Sequence, residues 1–247
     1  MSKATKAIIL AGGKGVRMLP LTRVMPKPLI ELNGNPIISY ILENLRENEI
    51  KDITITLAYK PDLFKKILGS GEEFGVNLKY IVEEPPKGTA GFLNLMGKDE
   101  LAETFFVMNS DDIFNLDFKK FLEEHKENVM QGAVVTIALT SVKDPEKSGS
   151  VRLDDKRIVE FVEKGKKPAS NLISSGYYAI ESSIFNYLPE KDFIMFEHDI
   201  FPQLAKEGKL FSYQDKQAVW YHVGTMEEYE MHNKEEMKAD MAEKAEE

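Results

Sequence analysis

Ile8-Ile9-Leu10-Ala11-Gly12-Gly13-Lys14-Gly15-Val16-Arg17-Met18-Leu19-Pro20-Leu21-Thr22, followed closely by Pro26-Lys27-Pro28, is the stretch on which the fold turns. An apolar run of strand length ends in glycines, whose missing Cβ lets backbone N–H groups approach an anion. Two long cations, Arg17 and Lys27, then follow ten residues apart. Glycines after a strand also occur simply to make a tight turn. The cations and the paired prolines are what make this loop read as a phosphate cradle at a strand end, the usual ligand position in an open α/β sheet. Arg17 suits bidentate phosphate contact and Lys27 a point-charge role.

Two common glycine signatures are near misses. A Walker loop needs two glycines five apart with Lys and Ser or Thr directly after, and Gly12 to Met18 lacks that spacing. A dinucleotide fingerprint needs glycine where Met18 stands.

Outward from the loop, short apolar runs alternate with helical patterns, the arrangement of βαβ units. Asn35-Pro36 reads as an N-cap with Pro at the first helical position, opening a helix through Ile37, Ile38, Tyr40, Ile41, Leu42 and Leu45. Strands are expected over 53–57, 78–82 and 104–108, and helices over 61–68, through Leu93 and Met96, and over 117–126. From Gly132 the texture turns β-rich, with strands expected over 133–139, 149–153, 158–162, 173–180, 210–213 and 218–223, and helices over 182–188 and 199–206. The expected fold is a three-layer, Rossmann-like α/β fold with a mixed, mostly parallel central sheet and a β-rich second half. No repeat or linker divides the chain, so one domain over 1–247 is expected. It would comprise halves at about 1–130 and 131–225 and a terminal helix at about 226–247 carrying Met237 and Met241 at i, i+4.

Hydrophobic residues make up 43% of the 247 and charged residues 30%, the composition of an ordinary globular protein. A formal net charge of -9 argues against gripping nucleic-acid backbone, which needs a basic footprint. No apolar run approaches the roughly 20 residues that span a bilayer, and the N-terminus lacks a signal-peptide core, so the expected location is cytoplasmic with no membrane partner. Zero cysteines exclude disulfides, thiolate nucleophiles and cysteine-ligated zinc. Of the four histidines, His125, His198 and His232 show no metal-ligand spacing.

The opening loop, with Gly88-Thr89-Ala90-Gly91, Asn109-Ser110-Asp111, Phe161-Val162-Glu163-Lys164, Ser175-Gly176-Tyr177-Tyr178, Phe201-Pro202 and Trp220-Tyr221-His222-Val223-Gly224-Thr225, resembles the sugar-1-phosphate nucleotidylyltransferases. That family includes the glucose-1-phosphate thymidylyltransferases and mannose-1-phosphate guanylyltransferases. The resemblance implies attack of a sugar 1-phosphate oxygen on the α-phosphorus of a nucleoside triphosphate, giving a nucleotide sugar and pyrophosphate. It implies that Arg17, Lys27, Asp111 and Lys164 carry the catalysis, and that Leu10, Ala11, Gly12, Gly13, Gly15, Glu83, Gly88 and Asp111 bind nucleotide. Gly149, Glu163, Lys164, Ser174 and Gly176 would bind the sugar phosphate. Asp111 would ligate Mg²⁺, with Mn²⁺ as the alternative ion, and a homo-oligomer is left open. The chain ends soon after these motifs, so a hexapeptide-repeat extension with acyltransferase activity is not expected.

Three positions depart from the family pattern. Ser110 stands where the family has glycine before the metal-binding aspartate, and Ser174 stands where it usually has asparagine. His222 takes the place of the second metal-binding aspartate. A neutral imidazole brings no negative charge and is a poor partner for Mg²⁺. The site would then hold one metal through Asp111 with help from Asp112, prefer an imidazole-tolerant ion, or turn over weakly. These departures keep two rival readings open. One is a catalytically weak paralogue that binds nucleotide sugars as a regulatory subunit. The other is a cytidylyltransferase acting on a non-sugar phosphate. Neither the base nor the sugar is legible from the residues.

Overall fold

The computed structural model describes residues 6–233. They group into two compact units that are not successive halves of the chain. One unit comprises Lys6–Glu83, Met108–Asp117 and the described part of Lys216–Glu247; the other comprises Glu84–Val107 and Phe118–Asp215.

In the unit that contains Lys6–Glu83, strands Lys6–Leu10, Asp52–Leu57 and Asn77–Val82 pair in parallel, with Asp52–Leu57 in the middle. Ile9 lies opposite Ile55, and Ile55 opposite Tyr80. Ala7, Ile8, Ile9, Ile53, Ile55 and Leu57 are buried, as near-continuous apolar runs in a parallel sheet should be. The crossover helices are Ile37–Glu47 and Pro61–Leu68. The first buries Ile37, Ile38, Tyr40, Ile41, Leu42 and Leu45, a stripe at helical spacing.

Its start differs from the expected asparagine cap. Asn35–Pro36 is a short strand paired with Glu31–Leu32, and the cap residue is Pro36, with no side-chain cap bond. The Ile37 amide donates instead to the Ile30 carbonyl at 3.0 Å, so the hairpin supplies an acceptor that the asparagine side chain would otherwise provide.

A further short pairing is not evident in the apolar pattern. Strand Asp112–Phe114 runs antiparallel to Trp220–His222, setting His222 opposite Asp112. Met18, Ile30, Leu32, Ile37, Tyr40, Ile113 and Val223 form one buried cluster, with Tyr221, Met226 and Tyr229 packed against it. That cluster gathers the loop after the first strand, the hairpin and this ladder onto a common support. The expected terminal helix is present as Met226–His232; residues 234–247, with Met237 and Met241, lie outside the described residues.

The other unit is built on strands in the order Leu172–Ile180, Val135–Ser141, Leu210–Tyr213, Arg157–Val162, Ser150–Asp154. Leu210–Tyr213 runs parallel to Val135–Ser141, whereas Leu172–Ile180 is antiparallel to Val135–Ser141, and Arg157–Val162 is antiparallel to both Leu210–Tyr213 and Ser150–Asp154. Ser150 also pairs with Ile173, so the last strand returns to the first. The expected 182–188 helix is a 3₁₀ segment, Ser182–Tyr187, and the 199–206 helix is a π-turn, Phe196–Ile200, leading into Phe201–Lys206. Taken unit by unit, the architecture is α/β with mixed strand directions.

Helix Phe118–Met130 buries Phe118, Phe121, His125 and Asn128. His125 is fully buried, with Nδ1 at 2.8 Å from Thr136 Oγ1 and Nε2 at 3.1 Å from Glu181 Oε1. Thr104 Oγ1 also donates to Glu181. The hydrogen bond with His125 holds the Glu181 carboxyl below the ordinary glutamate range, against the opposing effect of burial. The fold therefore favours ionised Glu181. That share of stability is complete above the ordinary value of 4.5 and is lost as pH falls through the lower folded value. Glu181→Gln is expected to lose about 1–3 kcal/mol in urea unfolding at pH 7. The gap to the parent should narrow as pH drops; a gap that stays constant down to acid unfolding would contradict this.

Candidate active site

The glycine loop is laced down by its neighbours. Ala11 N donates to Thr56 O at 2.9 Å, Thr22 Oγ1 to Gly15 O at 2.9 Å, and Tyr59 OH to Thr22 O at 3.0 Å. Gly15 has φ +61, and a Cβ there would lie 2.9 Å from the Thr22 methyl, so both conformation and space require glycine. Gly13 is different, because a Cβ would meet nothing within 4 Å. Among the described residues the amides of Gly12, Gly13 and Lys14 have no protein acceptor, which leaves a run of N–H groups open to an anion.

Lys27, on the short turn Lys27–Leu29, is only 6% exposed. Its Nζ donates to Asp111 Oδ2 at 2.6 Å, a charge-assisted bond between residues 84 apart in sequence. Asp111 is placed by backbone bonds on both sides: Ser110 N donates to Leu10 O at 3.2 Å, and Val223 N to Asp111 O at 3.0 Å. Burial pushes the Asp111 carboxyl up, but Lys27, His222 and the exposed Arg17 more than offset it, so it sits below the ordinary carboxylate range.

His222 Nδ1 lies 2.7 Å from Asp112 Oδ1, and Asn109 Nδ2 donates to Asp112 Oδ2 at 3.0 Å. Burial drives the Asp112 carboxyl up. Burial alone would lower His222; the hydrogen bond to Asp112 and the charges of both aspartates overcome it and raise the imidazole. The other ring nitrogen, Nε2, sits over Gly224, where a Cβ would be 2.0 Å away, and lies 4.0 Å from Glu228 Oε2. Glu228 accepts from Gly224 N at 2.8 Å, while its own amide donates to the Thr225 hydroxyl at 3.2 Å, a capping-box pattern that opens helix Met226–His232.

Ligand atoms of Asp111, Asp112 and His222 lie within 4.8 Å of one another, the one such group of three or more among the described residues. Two carboxylates make this donor set compatible with a hard divalent ion. Asp112 is 5% exposed and holds its hydrogen bonds on both oxygens, so Asp111 is the more available carboxylate. Glu83, buried at 5%, is held by its amide to Leu57 O at 2.7 Å in this same unit.

The remaining expected site residues belong to the other unit. Val162 pairs with Ser150, and Ile173 also pairs with Ser150, so one residue further along each strand Glu163, Gly149 and Ser174 come together. Ser174 N donates to Gly149 O at 2.8 Å. A Cβ on Gly149 would be 2.6 Å from the Phe161 ring. Gly176 has φ +83 within a bulge, and its amide donates to Ser174 Oγ at 3.2 Å. Lys164 is 62% exposed, with Nζ 4.0 Å from Glu163 Oε1. Gly88 lies in a loop tied to Ile194: Ile194 N donates to Lys87 O at 2.8 Å, and Ala90 N to Ile194 O at 2.9 Å.

A family model described as nucleotidyl transferase matches residues 6–239. The chain belongs to that family. Among its relatives, a mannose-1-phosphate guanylyltransferase of Mycobacterium tuberculosis is 33% identical over 227 residues, covering 90% of this chain and 62% of that protein. A mannose-1-phosphate guanyltransferase of Saccharomyces cerevisiae is 36% identical over 231 residues, with 91% and 62% covered. The chain thus spans less than two thirds of the length of these curated relatives. Among solved structures, a candidate glucose-1-phosphate thymidylyltransferase from Bacillus anthracis in complex with sucrose superposes with TM-score 0.81 at 31% identity. That match covers 92% of this chain and 93% of that one. HddC from Yersinia pseudotuberculosis, complexed with GMP-PN, has TM-score 0.77 at 28% identity, with 93% and 98% covered.

The sequence pointed to Asp111 and His222 without showing Asp112 as the imidazole's partner or Glu228 beyond it. The adjacent second aspartate and the Thr225-x-x-Glu228 spacing were the available signals. Two glycines separate in their roles. Gly88 has φ +85, and a Cβ would be 2.3 Å from the Ile194 carbonyl oxygen. Gly88→Ala should therefore cost about 2–4 kcal/mol, read as a fall in Tm of roughly 5–15 °C. Gly13→Ala should move Tm by less than about 2 °C. Equal effects of the two substitutions in a thermal melt would contradict the assignment.

Proposed function

We propose that this chain transfers a nucleotidyl group from a nucleoside triphosphate to a sugar 1-phosphate. The oxygen of the sugar phosphate forms a bond to the α-phosphorus, the bond to the departing pyrophosphate breaks, and a nucleotide sugar results. The observation that carries this reading is the buried Lys27–Asp111 pair, set in the same unit as the glycine loop with its free amides. In-line phosphoryl chemistry of this kind asks the protein mainly for positioning and charge neutralisation. Open backbone N–H groups, a buried ammonium and an exposed guanidinium are suited to that task.

In this reading the amides after Leu10 and Ala11 bind the triphosphate, Lys27 holds its reacting phosphates, and Arg17 stabilises the leaving pyrophosphate. Gly15 shapes the loop, and Glu83 and Gly88 border the nucleotide. Glu163 reads sugar hydroxyls with Gly149, Ser174 and Gly176, and Lys164 pairs with the sugar phosphate. A divalent ion, Mg²⁺ or Mn²⁺, would be held by Asp111 with Asp112 and His222 close by, and would supply charge neutralisation on the phosphate oxygens. The Rossmann-like, three-layer arrangement belongs to the same reading, supported by the parallel strands Lys6–Leu10, Asp52–Leu57 and Asn77–Val82, the first of which precedes the glycine loop.

A panel crossing the four nucleoside triphosphates with hexose 1-phosphates, in Mg²⁺ and in Mn²⁺, tests the activity through pyrophosphate release. Release is expected with at least one pair and only when both substrates are present; tight nucleotide binding without release would instead favour a binding subunit. Lys27→Met should lower kcat/KM by about 10²-fold or more. His222→Asp should raise turnover with Mg²⁺ relative to Mn²⁺, because a carboxylate adds an oxygen donor and a negative charge. An unchanged Mg²⁺ to Mn²⁺ ratio in that variant would sink the link between His222 and metal preference.

A further inference from the structure

We infer that Glu197 is a second carboxylate of the sugar subsite, held through Oε2 by Thr89 and using Oε1 to accept a hydrogen bond from a hexose hydroxyl beside Glu163. This rests on the proposed transfer to a sugar 1-phosphate and adds to it a residue that reads the sugar.

The placement comes from aromatic packing. Phe161, two residues before Glu163, meets Phe201 edge-on at 5.3 Å between ring centroids. Phe196, directly before Glu197, stacks on the same Phe201 ring at 5.3 Å and 16°. Tyr178 packs on both, at 5.8 Å from Phe196 and 5.1 Å from Phe201. One rigid cluster therefore carries both carboxylates, on the end of strand Arg157–Val162 and on the π-turn Phe196–Ile200. The glycine at 149 belongs to the same device, since only the missing Cβ leaves room for the Phe161 ring. A π-helical turn is rare and is found frequently at functional positions.

The carboxylate is oriented as well as placed. Thr89 Oγ1 donates to Glu197 Oε2 at 2.7 Å and accepts from Phe196 N at 2.9 Å, so the hydroxyl proton is committed to Glu197. No cation lies within salt-bridge distance of Glu197 among the described residues, and beyond Thr89 its remaining bond is to its own backbone amide. Burial pushes this carboxyl above the ordinary glutamate range; the Thr89 bond offsets part of that, and the charge of Glu163 adds to it while that of Lys164 opposes it. Glu163 and Lys164 thus lie within electrostatic reach. The half-buried carboxyl keeps acceptor capacity to spare on Oε1. Neighbouring hydroxyls of a hexose supply donors for two carboxylates at once, while Lys164, mostly exposed, remains for the phosphate.

The test uses Glu197→Gln, which keeps an oxygen for Thr89 and removes the charge, with steady-state KM measured separately for sugar 1-phosphate and triphosphate. The sugar KM is expected to rise about 10- to 100-fold, as for a lost bond to a charged group. The triphosphate KM should stay within about twofold. The preference order among glucose, mannose and galactose 1-phosphates should change. Thr89→Val, which frees Oε2, should shift the sugar KM the same way by less. An unchanged sugar KM and preference in Glu197→Gln would overturn the inference, as would equal rises in both KM values. If Glu197→Gln melts early, Glu197→Asp, which keeps the charge and shortens the reach, is read by the same KM split. Should the parent release no pyrophosphate with any pair, the transfer reading fails. Calorimetric binding of hexose 1-phosphates to parent and Glu197→Gln then decides Glu197 separately, and equal affinities would overturn it.

Discussion

A buried ammonium needs a counter-charge, and the Lys27–Asp111 bond at 2.6 Å is the constraint around which the unit that carries the glycine loop is organised. The two residues are 84 positions apart, so the bond exists only because three separate supports converge. Strand Lys6–Leu10 anchors the Asp111 turn through Leu10 O, and the 220–223 segment anchors it again through Val223 N. The cluster of Met18, Ile30, Leu32, Ile37 and Val223 holds the turn that carries Lys27. Removing one partner of such a pair typically costs about 3–5 kcal/mol, because the other charge stays buried. The same two charges are those for which a triphosphate and a divalent cation would compete, so the bond supports the fold and lies at the centre of the proposed chemistry.

His222 gives the site its own character. The ladder with Asp112–Phe114 delivers residue 222 opposite Asp112, and an imidazole there bonds the buried carboxylate through Nδ1. Its other nitrogen rests on Gly224 and leads toward Glu228, which caps the next helix. One side chain thus links the aspartate pair to the helix that follows. Burial raises the Asp112 carboxyl, and the Asp112 hydrogen bond with the charges of both aspartates raises the His222 imidazole, at the edge of the proposed metal site.

Much of the secondary structure was legible because it follows local periodicity. The helix at Ile37–Glu47, the helix at Pro61–Leu68 and the strands at Asp52–Leu57 and Asn77–Val82 fall within a residue or two of their apolar patterns. The misses have physical causes. Asn35 does not cap its helix because a hairpin carbonyl, invisible to local sequence, takes the first amide. Strand Asp112–Phe114 is too short to show alternation and exists through its partner over 100 residues away. His125 has no metal-ligand spacing in the sequence and lies within the expected 117–126 helix, yet it shares the buried face of Phe118 and Phe121 and finds its partners at Thr136 and Glu181, outside that helix.

The residues by themselves determined the chemistry that this protein can offer: glycines with open amides, two cations, an aspartate pair and the Glu163-Lys164 dipeptide. That is so because the identity of a side chain fixes its charge and donors wherever the chain places it. Only the tertiary structure decided which groups meet: Lys27 with Asp111, His222 with Asp112, Glu163 with Gly149 and Ser174, and Thr89 with Glu197. Those pairings, and the proton affinities that follow from them, depend on strand register, aromatic packing and burial, which act between residues far apart in the chain.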